Sequence, residues 1–461
     1  MRPIGEIAAG LGLADDEWQP YGRAVAKVDP AALERPRTRP GRGKLVLVSA
    51  ITPTPAGEGK TTTSIGLAQG LKRLGESVAL ALREPSLGPC LGVKGGAVGG
   101  GASTVQPAER INLHFTGDFH AITTANNLLS ALIDNHLYFG NPLGIDPRRI
   151  LWRRCLDMND RALRRTVIGL GGHKEGVPRE TGFDITAASE IMAILCLAED
   201  GADLRRRIDR TLVGFTYDGK PVTAADLGGS GAMVALLDDA LKPNLVQSVE
   251  GVPAFIHGGP FANIAHGCNS LLATRLALHL ADWTVTEAGF AFDLGAEKFF
   301  DIKCRAAGLD VAAVVLVATI RALKFHGGTA LDALGKVEAE AVAAGLPNLE
   351  KHIENIHHFG EQPVVALNRF GTDDDAEIDE VRQLCARLGV PFAVSDHFAR
   401  GGAGAEELAR AVVEFAEQDH APFHALYELE ESIPDKIFTV ASKMYGARKV
   451  VFTKQAERDL E

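Results

Sequence analysis

One stretch of this sequence has the chemistry of a phosphate cradle: Ile51-Thr-Pro-Thr-Pro-Ala-Gly-Glu-Gly-Lys-Thr-Thr-Thr63. Thr54, Pro55, Ala56, Gly57, Glu58 and Gly59 make a Gly/Pro-rich turn, and Lys60, Thr61 and Thr62 follow it. Backbone N–H groups in such a turn converge on one anion, together with the positive end of the next helix dipole. Lys60 adds a full charge, and a hydroxyl such as that of Thr61 or Thr62 is of the type that holds a nucleotide's Mg²⁺. Thr54 stands where the Walker pattern has its first glycine, so the match is incomplete. The competing reading is a structural turn.

A second glycine-rich segment runs from Arg83 and Glu84 through Lys94, Gly95 and Gly96 to Gly101. A flexible linker would be Gly/Ser-rich without these embedded charges. Arg83 follows an apolar run that reads as a strand, the place where α/β proteins put ligand contacts. Its planar fork matches a carboxylate or phosphoryl group through two parallel hydrogen bonds.

Two further segments carry polar groups among small residues. In His257-Gly-Gly-Pro-Phe-Ala-Asn-Ile-Ala-His-Gly-Cys-Asn-Ser270, a loop packed beneath a ligand is favoured over a catalytic histidine or a metal site with Cys268. In Asn112-Leu-His-Phe-Thr-Gly-Asp-Phe-His-Ala121, Asp118 is a candidate general base or orienting group, with a helix cap as the alternative. Phe370 and Phe398 each sit just past a strand pattern, where an exposed ring stacks a flat heterocycle; core packing is the competing role.

The elements that must position these residues alternate. Lys44–Ser49 reads as a buried strand feeding a helix over 64–72. Val78–Leu82, Trp283–Thr286 and Val314–Thr319 read as further strands, and residues 211–223 as a hairpin turning at Asp218-Gly219. The first 40 residues read as a helical lead-in, and 330–344 as a helix. Beyond it come strands at 363–369 and 391–395, helices at 374–388 and 406–417, and a strand-like Lys449–Thr453. The pattern predicts an α/β fold: a P-loop-type, doubly wound, mostly parallel sheet with a second, smaller α/β domain.

Composition narrows the function classes. A net charge of −11 argues against a general nucleic-acid or anionic-membrane surface, so basic residues inside glycine loops carry more weight. The segment Met1-Arg-Pro-Ile-Gly-Glu6 lacks the apolar core of a signal peptide, and the sequence holds no apolar run of about 18 residues. The six scattered cysteines lack a Cys-x-x-Cys spacing and suit reduced thiols in a cytoplasmic protein.

Taken together, these segments resemble the formate–tetrahydrofolate ligase family. Thr52–Thr61 is similar to its phosphate loop, and Arg83–Pro89 with Lys94–Ala97 and Gly99–Gly101 to its next signature. Asn112–Ala121, Gly182–Thr186, Lys242–Gln247, His257–Gly267, Glu287–Phe290 and Leu294–Lys298 also read like family text. The resemblance implies that formate, ATP and tetrahydrofolate give 10-formyltetrahydrofolate, ADP and phosphate through formyl phosphate. It implies Lys60 at the transferring phosphoryl group with Mg²⁺, held through Thr61 and the nucleotide. Arg83 would hold formate and then formyl phosphate, in a loop with Glu84, Lys94, Gly95 and Gly96, and Asp118 would relieve a proton. Phe370 and Phe398 would stack the pterin, Phe398 standing where the family commonly has tryptophan, and Ala102 replaces an expected tyrosine.

The resemblance also implies a homotetramer activated by a monovalent cation, K⁺ or NH₄⁺. It divides the chain into residues 1–345, a P-loop-like domain binding ATP and formyl phosphate, and residues 346–461, contributing the folate site. A third domain of roughly 100 residues is expected to be absent. A shortened nucleotide- or folate-binding pseudoenzyme and a nucleotide-switch ATPase are the alternatives.

Overall fold

The computed structural model describes residues 1–461 apart from 38, 40, 42, 56, 93–97, 419–421 and 461. Its chain forms two compact units that interleave along the sequence. One comprises Arg42–Val78, Gly100–Ser103 and Asp282–Glu461; the other comprises Met1–Gly41, Ala79–Gly99 and Thr104–Ala281.

The first of these units is built on parallel strands in the order Trp283–Glu287, Lys44–Ala50, Ala313–Ala318, Pro363–Asn368, Phe392–Ser395. Leu45 to Ala50 are buried without interruption, as a central strand covered on both faces requires. Parallel neighbours need long crossovers, and helices supply them: Ile320–His326 and Ala339–His357 lead from Ala313–Ala318 to Pro363–Asn368, and Asp375–Leu388 leads on to Phe392–Ser395. Asp374 opens the last of these with a complete capping box to Glu377. The strands at 363–368 and 392–395 extend the same sheet, so it does not break at the boundary expected after residue 345.

In the other unit the strands Trp18–Pro20, Ala26–Val28, Asn244–Ser248 and Pro253–Ile256 pair antiparallel in that order. Leu80–Leu82 then runs parallel to Ala254–Ile256. The long helix Asp118–Tyr138 buries Ile122, Leu129 and Ile133 against Ile191, Leu195, Met233 and Leu237 in a second core. The expected hairpin is present as Leu212–Thr216 paired with Pro221–Thr223.

Three local expectations are corrected. The lead-in is the α-helix Ile4–Gly10, two short paired strands and a 3₁₀ turn at Pro30–Leu33. Residues 330–338 are turns and bends, and the helix starts only at Ala339, where it runs through Pro347 to His357. Lys449–Thr453 is irregular and leads into the helix Lys454–Leu460, because apolar alternation forms no strand without a pairing edge. All six cysteines are free and five are buried; burial pushes the Cys155 thiol up to about 11 and Cys385 up to about 12. No described helix is long and apolar enough to cross a membrane.

Candidate functional site

The turn between the Lys44–Ala50 strand and the Lys60–Arg73 helix is braced from inside. Glu58 is 2% exposed, and its Oε1 accepts from the Thr54 amide at 2.7 Å and the Thr54 hydroxyl at 3.1 Å. Its Oε2 accepts from the Thr319 hydroxyl. Thr54, at the position of the missing Walker glycine, is therefore a partner of the brace. Gly57 and Gly59 have φ of +80° and +76°, the left-handed region that favours glycine. A Cβ on Gly59 would also fall 2.6 Å from Asn368 Nδ2.

Thr52, where the chain enters the turn, is gripped by three side chains. Its hydroxyl meets Asn348 Nδ2 at 3.0 Å and His352 Nε2 at 3.1 Å, and its carbonyl meets His326 Nε2 at 2.8 Å. Burial pushes the His352 pKa down to about 4, so the ring is neutral at neutral pH.

Lys60, Thr61 and Thr62 occupy the first turn of the helix, all partly exposed. Thr61 donates its hydroxyl to Glu287 Oε2 at 2.8 Å. Glu287 ends its strand and is 3% exposed. Reading the sequence did not single it out as a site residue, although it opens the family-like segment Glu287–Phe290. A hydroxyl beside a strand-end carboxylate is a pair of hard oxygen donors of the type Mg²⁺ takes.

Phe370 is half-buried; Asp373 Oδ2 accepts its amide at 2.8 Å, and the Arg321 guanidinium lies 4.4 Å from its ring centroid. Phe398 is 55% exposed, with Gly100 and Gly101 packed against it and its carbonyl accepting the Ala102 amide at 2.8 Å. Arg369 and Arg400, close in sequence to the two rings, line one cavity of about 550 Å³ together with Asp396 and Ile378. The loops carrying the two rings therefore converge.

Arg83, Glu84 and Asp118 belong to the other unit. Arg83 Nε is buried without a hydrogen-bond partner. The Glu84 amide donates to Gly258 O at 2.8 Å, and a Cβ on Gly259 would fall 2.1 Å from Glu84 O, so this turn needs glycine. Burial, then the Asp118 charge, raises the Glu84 carboxyl well above its ordinary range, with Lys27 opposing. The loop's next turn is held by Asp157, whose two oxygens accept from the Ser86 hydroxyl at 2.5 Å and the Leu87 amide at 2.9 Å. Nothing in the local sequence marked Asp157.

Asp118, 2% exposed, opens its helix with both oxygens engaged by Lys27 and Asn244. His257 Nε2 must donate to Ala240 O at 2.6 Å, which leaves Nδ1 to accept from the Ser270 hydroxyl at 2.6 Å. Burial pushes its pKa down to about 4, so His257 is a neutral structural group. Ala56, Lys94, Gly95 and Gly96 lie outside the described residues.

Fold and site define an α/β protein in which a glycine turn delivers a lysine and a threonine to a helix N-terminus beside a strand-end carboxylate. The family model for formate–tetrahydrofolate ligase matches residues 1–461. The chain is 60% identical over 464 residues to the formate–tetrahydrofolate ligase of Arthrobacter sp. (strain FB24), covering 100% of this chain and 82% of the relative. It is 60% identical over 451 residues to that of Granulibacter bethesdensis, covering 98% of this chain and 79% of the relative. The chain belongs to the formate–tetrahydrofolate ligase family. The match runs over the whole chain, so it does not support the expected loss of a C-terminal domain.

Proposed function

We propose that this chain joins formate to tetrahydrofolate at the expense of ATP, giving 10-formyltetrahydrofolate, ADP and phosphate through formyl phosphate. The ligase activity is that of its family. The observation that carries the placement of the chemistry is the turn into Lys60, with Thr61 against Glu287.

Formate is a poor electrophile, so its oxygen first attacks the γ-phosphoryl group and ADP departs. Lys60 and the amides of a P-loop-type turn neutralise the charge that spreads over the transferring group. Thr61 and Glu287 would hold Mg²⁺ with the nucleotide, and the ion would supply further charge neutralisation there. The planar fork of Arg83 holds formate and then formyl phosphate, within the loop that includes Glu84, Lys94, Gly95 and Gly96.

The folate N10 nitrogen then attacks the formyl carbon, phosphate leaves, and N10 gives up its proton. Asp118 stands in this scheme as the orienting or proton-relieving group; its pairing with Lys27 favours orientation. Phe370 and Phe398 stack the pterin, while Arg369 and Arg400 supply positive charge for the folate carboxylates. A homotetramer activated by K⁺ or NH₄⁺ and working in the cytoplasm completes the reading.

The test is formate- and tetrahydrofolate-dependent formation of 10-formyltetrahydrofolate by the 461-residue chain, beside Lys60→Ala and Arg83→Ala. Turnover lost in both variants is expected. A folded, ATP-binding chain without turnover, or variants that keep full activity, would overturn the reading.

A further inference from the structure

Two consecutive carbonyls of the turn before Lys60 are held from the ends of two later strands. Asn368, the last residue of its strand, donates Nδ2–H to Glu58 O at 3.1 Å. Gly59 O accepts the Thr63 hydroxyl at 3.0 Å, and the same hydroxyl lies 3.2 Å from His397 Nε2. Thr63 has one hydroxyl proton and gives it to Gly59 O, so it accepts from His397 Nε2–H. Nδ1 is then the acceptor for the Ser395 hydroxyl at 2.9 Å. Burial pushes the His397 pKa down to about 4, and the neutral ring this relay needs is the form present at neutral pH. One chain of hydrogen bonds thus runs from the end of the Phe392–Ser395 strand to the last glycine of the phosphate turn.

The residues of this relay stand next to the rings assigned to the pterin. His397 precedes Phe398, and Asn368 stands two residues before Phe370. Ser103 Oγ donates to His397 O at 2.8 Å. Gly66, on the helix that starts at Lys60, brings backbone against this point: a Cβ there would fall 2.4 Å from His397 Cβ. A hydrogen-bonded, close-packed arrangement of this kind transmits displacement because neither end can move alone.

We propose that His397 and Asn368 are positioning residues that couple nucleotide binding at the phosphate turn to folate binding at Phe370 and Phe398, so that each ligand tightens the other. The proposal rests on the reading of these two rings as the pterin platform. Linkage makes the effect reciprocal: whatever factor nucleotide gains from folate, folate gains from nucleotide.

The experiment measures the Kd of tetrahydrofolate with and without saturating MgADP, and the Kd of MgADP with and without tetrahydrofolate. It uses the wild-type chain, His397→Leu, His397→Gln, Asn368→Leu and Phe398→Ala. A coupling factor of at least about fivefold, equal in both directions, is expected in the wild type. His397→Leu and Asn368→Leu bring it towards one, and His397→Gln, which keeps a donor and an acceptor, restores most of it. Should His397→Leu fail to fold, Thr63→Val cuts the same relay. An uncoupled wild type overturns the proposal, as does full coupling in the leucine variants while Phe398→Ala still loses folate. Folate binding unchanged in Phe398→Ala refutes the platform reading instead.

Discussion

Lys27 Nζ lies 2.5 Å from Asp118 Oδ1, with both side chains almost withdrawn from water. The ammonium also donates to Lys242 O at 3.2 Å, and Asn244 Nδ2 donates to Asp118 Oδ2 at 2.7 Å. Removing one partner of a buried pair strands the other charge, which costs about 3–5 kcal/mol. Lys27→Met should therefore lower stability in urea unfolding by that amount. The double variant Lys27→Met/Asp118→Leu should recover part of it; equal losses in both would show that the pairing contributes nothing.

Glu58 is a prediction about binding. Glu58→Gln keeps the volume but gives Oε1 and Oε2 positions that no longer accept equally from Thr54 and Thr319. The turn should loosen, and the KM for ATP should rise by about tenfold, the effect of losing one or two charge-assisted hydrogen bonds. Steady-state kinetics at saturating formate and folate decide it. An unchanged KM for ATP with a reduced kcat would count against the brace.

Gly66→Ala tests close approach. Its new methyl carbon would fall 2.4 Å from His397 Cβ and 2.8 Å from His397 Cγ, so the His397 side chain must shift. The expected outcome is a helix that still forms, because alanine favours it, with weaker tetrahydrofolate binding. Titration calorimetry showing normal folate affinity would remove the contact from the argument.

Phe398→Trp enlarges the exposed ring proposed for stacking. An indole adds area and polarisability, so tetrahydrofolate should bind about 2- to 10-fold more tightly, in line with the energies of single aromatic contacts. Loss of affinity would mean that Gly100 and Gly101, already packed against Phe398, leave no room.

Glu361 gives a pH dependence. It is 4% exposed, its Oε1 has no hydrogen-bond partner, and burial, then the nearby Asp310, pushes its carboxyl up to about 8. An unfolded glutamate ionises near ~4.3. Between these values the folded chain keeps a proton that the unfolded chain has lost, so this stabilisation is whole at low pH and lost as pH rises to 8. Glu361→Gln, which never ionises, should melt higher than the wild type at alkaline pH, and the gap should close on acidification. Calorimetry at both ends of that range is the check.

The strand, glycine turn and helix at 44–73 were legible because every signal in them is local: an apolar run, left-handed glycines, a lysine at a helix start. The helix expected over 374–388 is present as Asp375–Leu388 for the same reason. What the sequence hid was partnership over distance. Glu287 meets Thr61 across 226 residues and Asn368 meets Glu58 across 310, and no spacing rule links them. Local composition also misled. The Ala/Glu-rich stretch from 330 favoured a helix, but its helix begins at Ala339 and tolerates Pro347. Trp18–Pro20 and Ala26–Val28 are strands only because each finds a neighbour.

The central position of the Lys44–Ala50 strand has a consequence for synthesis. Both its neighbours, Trp283–Glu287 and Ala313–Ala318, are made long after it. At about 5–20 residues per second, the 226 residues between Thr61 and Glu287 take about 10–45 s to translate. Throughout that interval a largely apolar strand has left the ribosome with both edges unpaired, the state that invites wrong pairing and recruits chaperones. Residues 79–281, translated in between, have time to collapse on a core of their own. The strand that leads into the glycine turn therefore waits for both of its neighbours before it can be paired.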